Sequence, residues 1–394
     1  MSWPAALSDS FNRGWGYTLQ GLSQVSTLRF GRDAAELTHL LDDVLAGHRL
    51  TPEEAHALFC LNDRRVWNVA AAADEKRRMC NGDVVTYVRN QNINVTNICI
   101  NSCGFCGFSK KPGDKGAYYH DRETIREKTL EARSRGVSEI CTVSGLHPDF
   151  DAYSYVDIIS CIREAAPGIH IHASNPMEVA YGARKSGLTT AEVLMMMKEA
   201  GLGSLCGTAA EILVDDVRSR ICPGKVSTDE WVRIIKEAHA LGIRTTATIM
   251  YGHCESEGDR VKHLTIIRDI QDETGGFTEF VPLSFIHMNT PLYRQGLARA
   301  GATGREDLLM TAVSRLFLDN IRHIQVSWVK TGLKMAQLGL MAGADDLGGT
   351  MFEESISKGA GALNTDYLDP AEMKRIADDL GRTLRRRDTL YTMI

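Results

Sequence analysis

The cysteine run Cys99-Ile-Asn-Ser-Cys103-Gly-Phe-Cys106 directly follows a short β-like stretch, Ile93-Asn-Val-Thr96, and this junction constrains the chain more than any other feature. Three thiolates on so short a loop can hold three irons of a cubane cluster and leave the fourth iron without a protein ligand. An open iron is a place for chemistry. A structural zinc site normally takes four protein ligands, usually as two pairs from separate knuckles. The chain has no second C-x-x-C, so zinc would have to borrow Cys80 or Cys141. The cluster is the favoured reading. The remaining cysteines, Cys60, Cys161, Cys206, Cys222 and Cys254 with those two, read as small apolar residues.

From residue 92 onward, short β-branched or apolar runs alternate with amphipathic helices, the pattern of a parallel α/β protein. Candidate strands lie near Ile93–Thr96, Glu139–Val143, His170–Ala173, Gly203–Cys206, Arg244–Met250, Thr278–Ser284, Ile324–Trp328 and, weakly, Ala344–Leu347. Eight such units fit a (β/α)8 barrel of the TIM type, whose functional groups gather at the C-terminal ends of the strands. An open doubly wound sheet is the alternative. Against it, the cysteine loop occupies the place where a glycine-rich dinucleotide fingerprint would follow the first strand. Residues 1–85 read as a helical extension, with helical spacing over Asp33–Ala46 and Thr51–Leu61 and an N-cap followed by proline at Thr51-Pro52. The barrel is expected over 86–350. A helical segment packed on it is expected over 351–394, with a covering helix from Asp369 to about Arg387.

Composition narrows the class. The 394 residues are 43% apolar and 24% charged with a net charge of −5, which suits a large buried core and gives no electrostatic reason for a nucleic-acid partner. Arg385-Arg386-Arg387 reads as a solvated helix end. The start lacks a basic segment followed by an apolar stretch, and no run of about 18 apolar residues occurs. A cytoplasmic, membrane-free protein is expected, in a compartment that keeps ten scattered cysteines reduced.

Polar residues collect at the predicted strand ends. Val143-Ser144-Gly145 forms a small-residue turn one strand beyond the cysteine loop and exposes backbone groups there. Ser174, Asn175 and Glu178 follow the third strand, whose His170 and His172 are better read as packed histidines than as metal ligands. Glu211 can accept hydrogen bonds from hydroxyls or an ammonium, and Arg218 can grip a carboxylate, although spacing alone makes both an ordinary charged helix face. His253, Glu255, His287 and Thr290 follow the fifth and sixth strands as candidates for orienting a substrate or moving protons. Lys330 and the Asp346-Leu-Gly-Gly-Thr350 turn are weaker signals.

Together these segments resemble the radical S-adenosylmethionine (SAM) superfamily and, within it, the enzymes of deazaflavin and menaquinone biosynthesis, most of all the tyrosine-using subunit family of FO synthase. The resemblance rests on Asn97 to Cys106, Gly145-Leu-His-Pro148, Pro176-Met-Glu178, Thr208-Ala-Ala-Glu-Ile-Leu213, Trp231 through His253, Gly275 through Leu283, Gln325-Val-Ser-Trp328 and Asp346-Leu-Gly-Gly-Thr350. Val143-Ser144 stands where Gln-Gly is common in that family, and Ser174-Asn175 where Phe-Ser is common.

The resemblance implies a radical SAM barrel with a [4Fe–4S] cluster on Cys99, Cys103 and Cys106. SAM is then expected near Phe105, Ser144, Gly145, Glu211 and Arg218, with Phe105 close to the adenine. The implied reaction joins the 4-hydroxybenzyl group of L-tyrosine to 5-amino-6-(D-ribitylamino)uracil. Ser174, Asn175, Glu178, His253, Glu255, His287 and Thr290 are expected to line the substrate pocket. An external electron donor is implied, and a separate cyclising radical SAM subunit is the partner it brings into view. An aminofutalosine synthase-like enzyme is the nearest alternative, and an iron–sulfur electron carrier without catalysis the alternative from another class.

Overall fold

β1 (Val84–Val88) and β2 (Asn90–Asn92) are one extended run of chain interrupted at Arg89, and a ring of parallel strands starts and ends on it. In the computed structural model, which describes residues 34–364 and 367–394, β2 pairs with β3 (Glu139–Thr142). β4 (His170–Ala173), β5 (Ser204–Leu205), β6 (Arg244–Tyr251) and β7 (Phe277–Ser284) follow in chain order, each parallel to the last. Single bridges then carry the ladder onward from Phe280 to Ile324 and from Gln325 to Asp346, the first residue of β8 (Asp346–Gly349). β8 pairs with β1, which closes the circle. Parallel neighbours need crossover connections, and helices supply most of them. The result is the (β/α)8-type barrel expected from the periodicity, with an apolar core between strands and helices.

The element boundaries differ from the sequence reading in three places. The first strand begins earlier. Val84-Val-Thr-Tyr-Val88 and the polar Asn90-Gln-Asn92 form the ladder, while Ile93–Thr96 continues past it as extended loop, tied by Ile93 N to Cys141 O at 2.9 Å and Gly145 N to Thr96 O at 2.9 Å. Asn90 escapes a β-propensity reading because its side chain pairs inside the barrel, with Glu139 at 3.2 Å. The expected seventh strand shrinks to Ile324 and Gln325, because a short helix, Trp328–Thr331, starts where the Trp328 indole donates to Gly349 O at 3.0 Å.

The third correction concerns the C-terminal segment. The helix Pro370–Asp379, capped by Asp369, ends before Gly381, and the chain returns as a strand, β9 (Thr383–Arg387), parallel to β1 on the edge opposite β8. The arginine run is therefore a strand and not a solvated helix end. Arg387 is 1% exposed. A second apolar core, including Val85, Trp328, Leu340, Met373 and Ile376, lies beneath that helix.

The helices Ala34–Leu45, Pro52–Phe59 and Val66–Asn81 precede β1. Thr51 and Glu54 form a reciprocal capping box, and Val66–Asn81, with Val69, Ala70 and Ala73 buried, packs on the helix Gly304–Phe317. Residues 1–33 of the expected helical extension, Asp33 included, lie outside the described residues. Among the described residues, no helix is long and apolar enough to cross a membrane.

Candidate active site

The cysteine loop lies at the C-terminal ends of the first strands and is pinned from several elements. Cys99 N donates to Lys110 O at 3.0 Å, Gly104 N to Ile221 O at 2.8 Å, and Leu292 N to Gly104 O at 2.7 Å. Glycine is required where the β3 turn crosses the loop, since a Cβ on Gly145 would stand 2.3 Å from Ile98 O. The same crossing places Leu146 N 3.4 Å from the Cys99 Sγ, an N–H donor to sulfur. Burial pushes the Cys103 thiol up to about 12, against the pull of the nearby Lys225 ammonium.

Cys99, Cys103 and Cys106 share one cavity with Phe105, Ser144 and Gly145. Asn175, Glu178 and Glu211 line it as well. The sequence candidates from the first, second, third and fourth strand ends thus meet in one place, as the barrel geometry requires. Among the described residues, no three His, Cys, Asp or Glu side chains are gathered closely enough to hold one metal ion.

Glu178 is the most unusual of these groups. Asn175 caps the helix Pro176–Ser186 by accepting from Met177 N at 3.0 Å and Glu178 N at 3.2 Å, which holds Glu178 in the first turn. Its Oε1 accepts from Ser144 N at 3.2 Å, while its buried Oε2 has no partner among the described residues. Burial pushes its pKa up to about 8 against the backbone amides of Ser144 and Asn175 and the Lys225 ammonium. Ser144 turns its hydroxyl back toward the first strand, where it accepts from Val95 N at 2.9 Å.

Glu211 is ion-paired with Lys225, whose ammonium also stands 5.1 Å from the centroid of the Phe105 ring. Lys225 and Lys330 both line the cavity. Lys225 was missed in the sequence because it follows the Cys222-Pro-Gly turn with no motif to mark it. Lys330 stood out only as a cation near a late strand.

Six other candidates do not line this cavity. Arg218 is buried and donates to the carbonyls of Ala209, Ala210, Ile212 and Val226, so it clamps together the two loops that carry Glu211 and Lys225. Ser174 is 4% exposed and adopts a left-handed φ of 57° between β4 and its helix. His253 Nε2 donates to Met250 O at 3.0 Å, and its ring meets Phe285 edge-on. Glu255 accepts from Gly252 N and His253 N, and pairs with Arg260 and Arg299. Burial alone would raise its pKa, but His253 and Arg260 hold it below the usual carboxylate range. His287 packs against Tyr293, and Thr290 caps the helix Pro291–Arg294 by accepting from Tyr293 N at 3.4 Å. Reaching a strand end brings a residue to the mouth, but the loop backbone beyond decides which way its side chain faces. At the other end of β4, His170 and His172 both bond Ser204 Oγ, at 2.8 and 2.7 Å.

A model of the radical SAM superfamily matches residues 93–267, and one of the CofH/MqnC C-terminal region matches residues 274–392. The chain is 74% identical over 358 residues to the 5-amino-6-(D-ribitylamino)uracil–L-tyrosine 4-hydroxyphenyl transferase of Methanosphaerula palustris, covering 91% of this chain and 98% of that one. It is 50% identical to the protein of the same name from Methanothermobacter thermautotrophicus, over 88% of this chain and 94% of that one. Methylornithine synthase shares the fold at a TM-score of 0.70 and 19% identity, covering 88% of this chain and 97% of that one. A maturase of the [FeFe]-hydrogenase shares it at a TM-score of 0.72 and 16% identity, over 93% and 78%. This chain is a radical SAM enzyme and belongs to the family of 5-amino-6-(D-ribitylamino)uracil–L-tyrosine 4-hydroxyphenyl transferases.

Proposed function

We propose that this enzyme transfers the 4-hydroxybenzyl group of L-tyrosine to 5-amino-6-(D-ribitylamino)uracil, in the cavity bounded by the cysteine loop. The observation that carries this reading is 74% identity to a transferase of that name over 98% of its length. The radical SAM family implies a [4Fe–4S] cluster and SAM in general. Here Cys99, Cys103 and Cys106 are the residues to hold the cluster: all three thiols are free and face one cavity. When bound, cluster and cofactor supply reductive cleavage of SAM and hydrogen-atom abstraction.

The chain's own residues do the rest. Phe105 offers an aromatic face for the adenine, and the Glu211–Lys225 pair offers polar groups beside it. Glu178 Oε2, buried and unpaired, receives the tyrosine ammonium, whose charge draws the otherwise protonated carboxyl into its ionised form. Met250, Leu283 and Phe285 give the cavity apolar walls that exclude water and confine a reactive benzyl fragment. The electron comes from an external donor, the product passes to a separate cyclising enzyme, and the reducing cytoplasm is the compartment that suits the free thiols.

The test is anaerobic reconstitution with reductant, SAM, ring-labelled tyrosine and the diaminouracil, followed by mass spectrometry. A labelled hydroxybenzyl adduct, 2-iminoacetate and deoxyadenosine are expected. Cleavage of SAM with no tyrosine-derived label on the uracil would overturn the substrate assignment.

A further inference from the structure

Two cations line the cavity, and only one of them is engaged. Lys225 is paired with Glu211 and lies over Phe105. Lys330 has no hydrogen-bond or ion-pair partner among the described residues. Its backbone is nonetheless fixed: Lys330 N donates to Ser327 O at 2.9 Å, and Trp328, two residues back and 3% exposed, is anchored through its indole to Gly349 O. The groups whose negative charge acts on it are Glu354, Glu211 and Cys106. Glu354 accepts from Ser357 N at 3.0 Å, and Glu211 is committed to Lys225.

An ammonium held in a largely apolar cavity without a partner is unfavourable until an anion meets it. A free cation facing such a cavity complements a carboxylate carried by its ligand, through a charge-assisted contact. We infer that Lys330 binds the α-carboxylate of an amino-acid ligand of this cavity. The inference deepens the transfer reading and rests on it for the ligands considered. Two of these, L-tyrosine and the methionyl part of SAM, carry that group.

The test measures equilibrium binding of L-tyrosine and, separately, of SAM by calorimetry on the anaerobically reconstituted enzyme, with iron content checked for every variant. Lys330→Met should weaken one of the two ligands by about tenfold or more, the scale of a lost charge-assisted contact. Lys330→Arg should restore most of the loss. Tyramine, which lacks the carboxylate, separates the sources: if tyrosine is the partner, the wild type prefers tyrosine to tyramine and Lys330→Met binds both alike. If SAM alone weakens, Lys330 serves the cofactor. Unchanged affinity for both ligands in Lys330→Met and in a second variant, Lys330→Gln, overturns the inference. A wild type that binds SAM but not tyrosine overturns the substrate reading instead, and the SAM arm still decides Lys330.

Discussion

Arg387 and Asp346 meet as a buried ion pair, Nε to Oδ2 at 2.5 Å and Nη2 to Oδ1 at 3.0 Å, reaching across β1 from the strands on either side of it. Thr86 of β1 donates to the same carboxylate. Glu279 of β7 lies 3.4 Å from the guanidinium and accepts from the Tyr391 hydroxyl at 2.6 Å. The C-terminal strand and tail are thereby fastened to the ring at its point of closure.

Arg387→Leu should destabilise the protein by about 3–5 kcal/mol, since it leaves Asp346 as a buried charge with no cation. The double variant Arg387→Leu, Asp346→Leu should recover part of the loss. Anaerobic denaturant unfolding of the three proteins measures the coupling, and a single variant as stable as wild type would contradict it.

Alanine at Cys99, Cys103 or Cys106 should each abolish the visible absorption of the cluster and reductive SAM cleavage, because each thiolate holds a separate iron. Alanine at Cys60 or Cys80, both exposed and far along the chain from the loop, should leave iron content unchanged. Iron and acid-labile sulfide analysis decides between these outcomes.

Glu178 makes a pH-dependent contribution whose sign is fixed by burial. Its folded pKa, about 8, lies above the ordinary 4.5, so the folded state holds a proton that the unfolded chain has released between those values. Its contribution to stability is full below about pH 4.5, falls as pH rises to about 8, and is flat above. Glu178→Gln should flatten the stability profile over that window. An ammonium ligand favours the ionised carboxylate, so tyrosine binding at neutral pH should release a proton in the wild type and none in Glu178→Gln. Calorimetry in buffers of different ionisation enthalpy reads that proton directly.

Glu255→Ala should lower stability while leaving the KM for tyrosine unchanged. The carboxylate sits between Arg260 and Arg299 in a network that also holds Glu306, outside the cavity. Removing it leaves Arg260, 2% exposed, short of a partner, a loss on the order of 3–5 kcal/mol for a buried pair. A raised KM with unaltered stability would return Glu255 to the substrate pocket.

Local chemistry was legible in the order of residues. The three cysteines lie within one loop, Asn175 and Pro176 mark a helix start, and apolar periodicity marks most strands, because each signal depends on neighbours a few residues apart. These features sufficed for the barrel and for one wall of its cavity. The remaining choices depended on residues far apart in the chain. Arg387 looked like a solvated charge until closure of the ring brought Asp346 to it across 41 residues. His253 and Glu255 follow a strand end as the site residues do, but Gly252, at a φ of 93°, turns the chain so that they bond Met250 O and Arg260 instead. Lys225 enters the cavity because Glu211 meets it from the preceding loop, and Glu178 keeps an unpaired oxygen while Ser144 N engages the other. Burial and pairing of charge are properties of the packed ring, so tertiary structure alone assigned them.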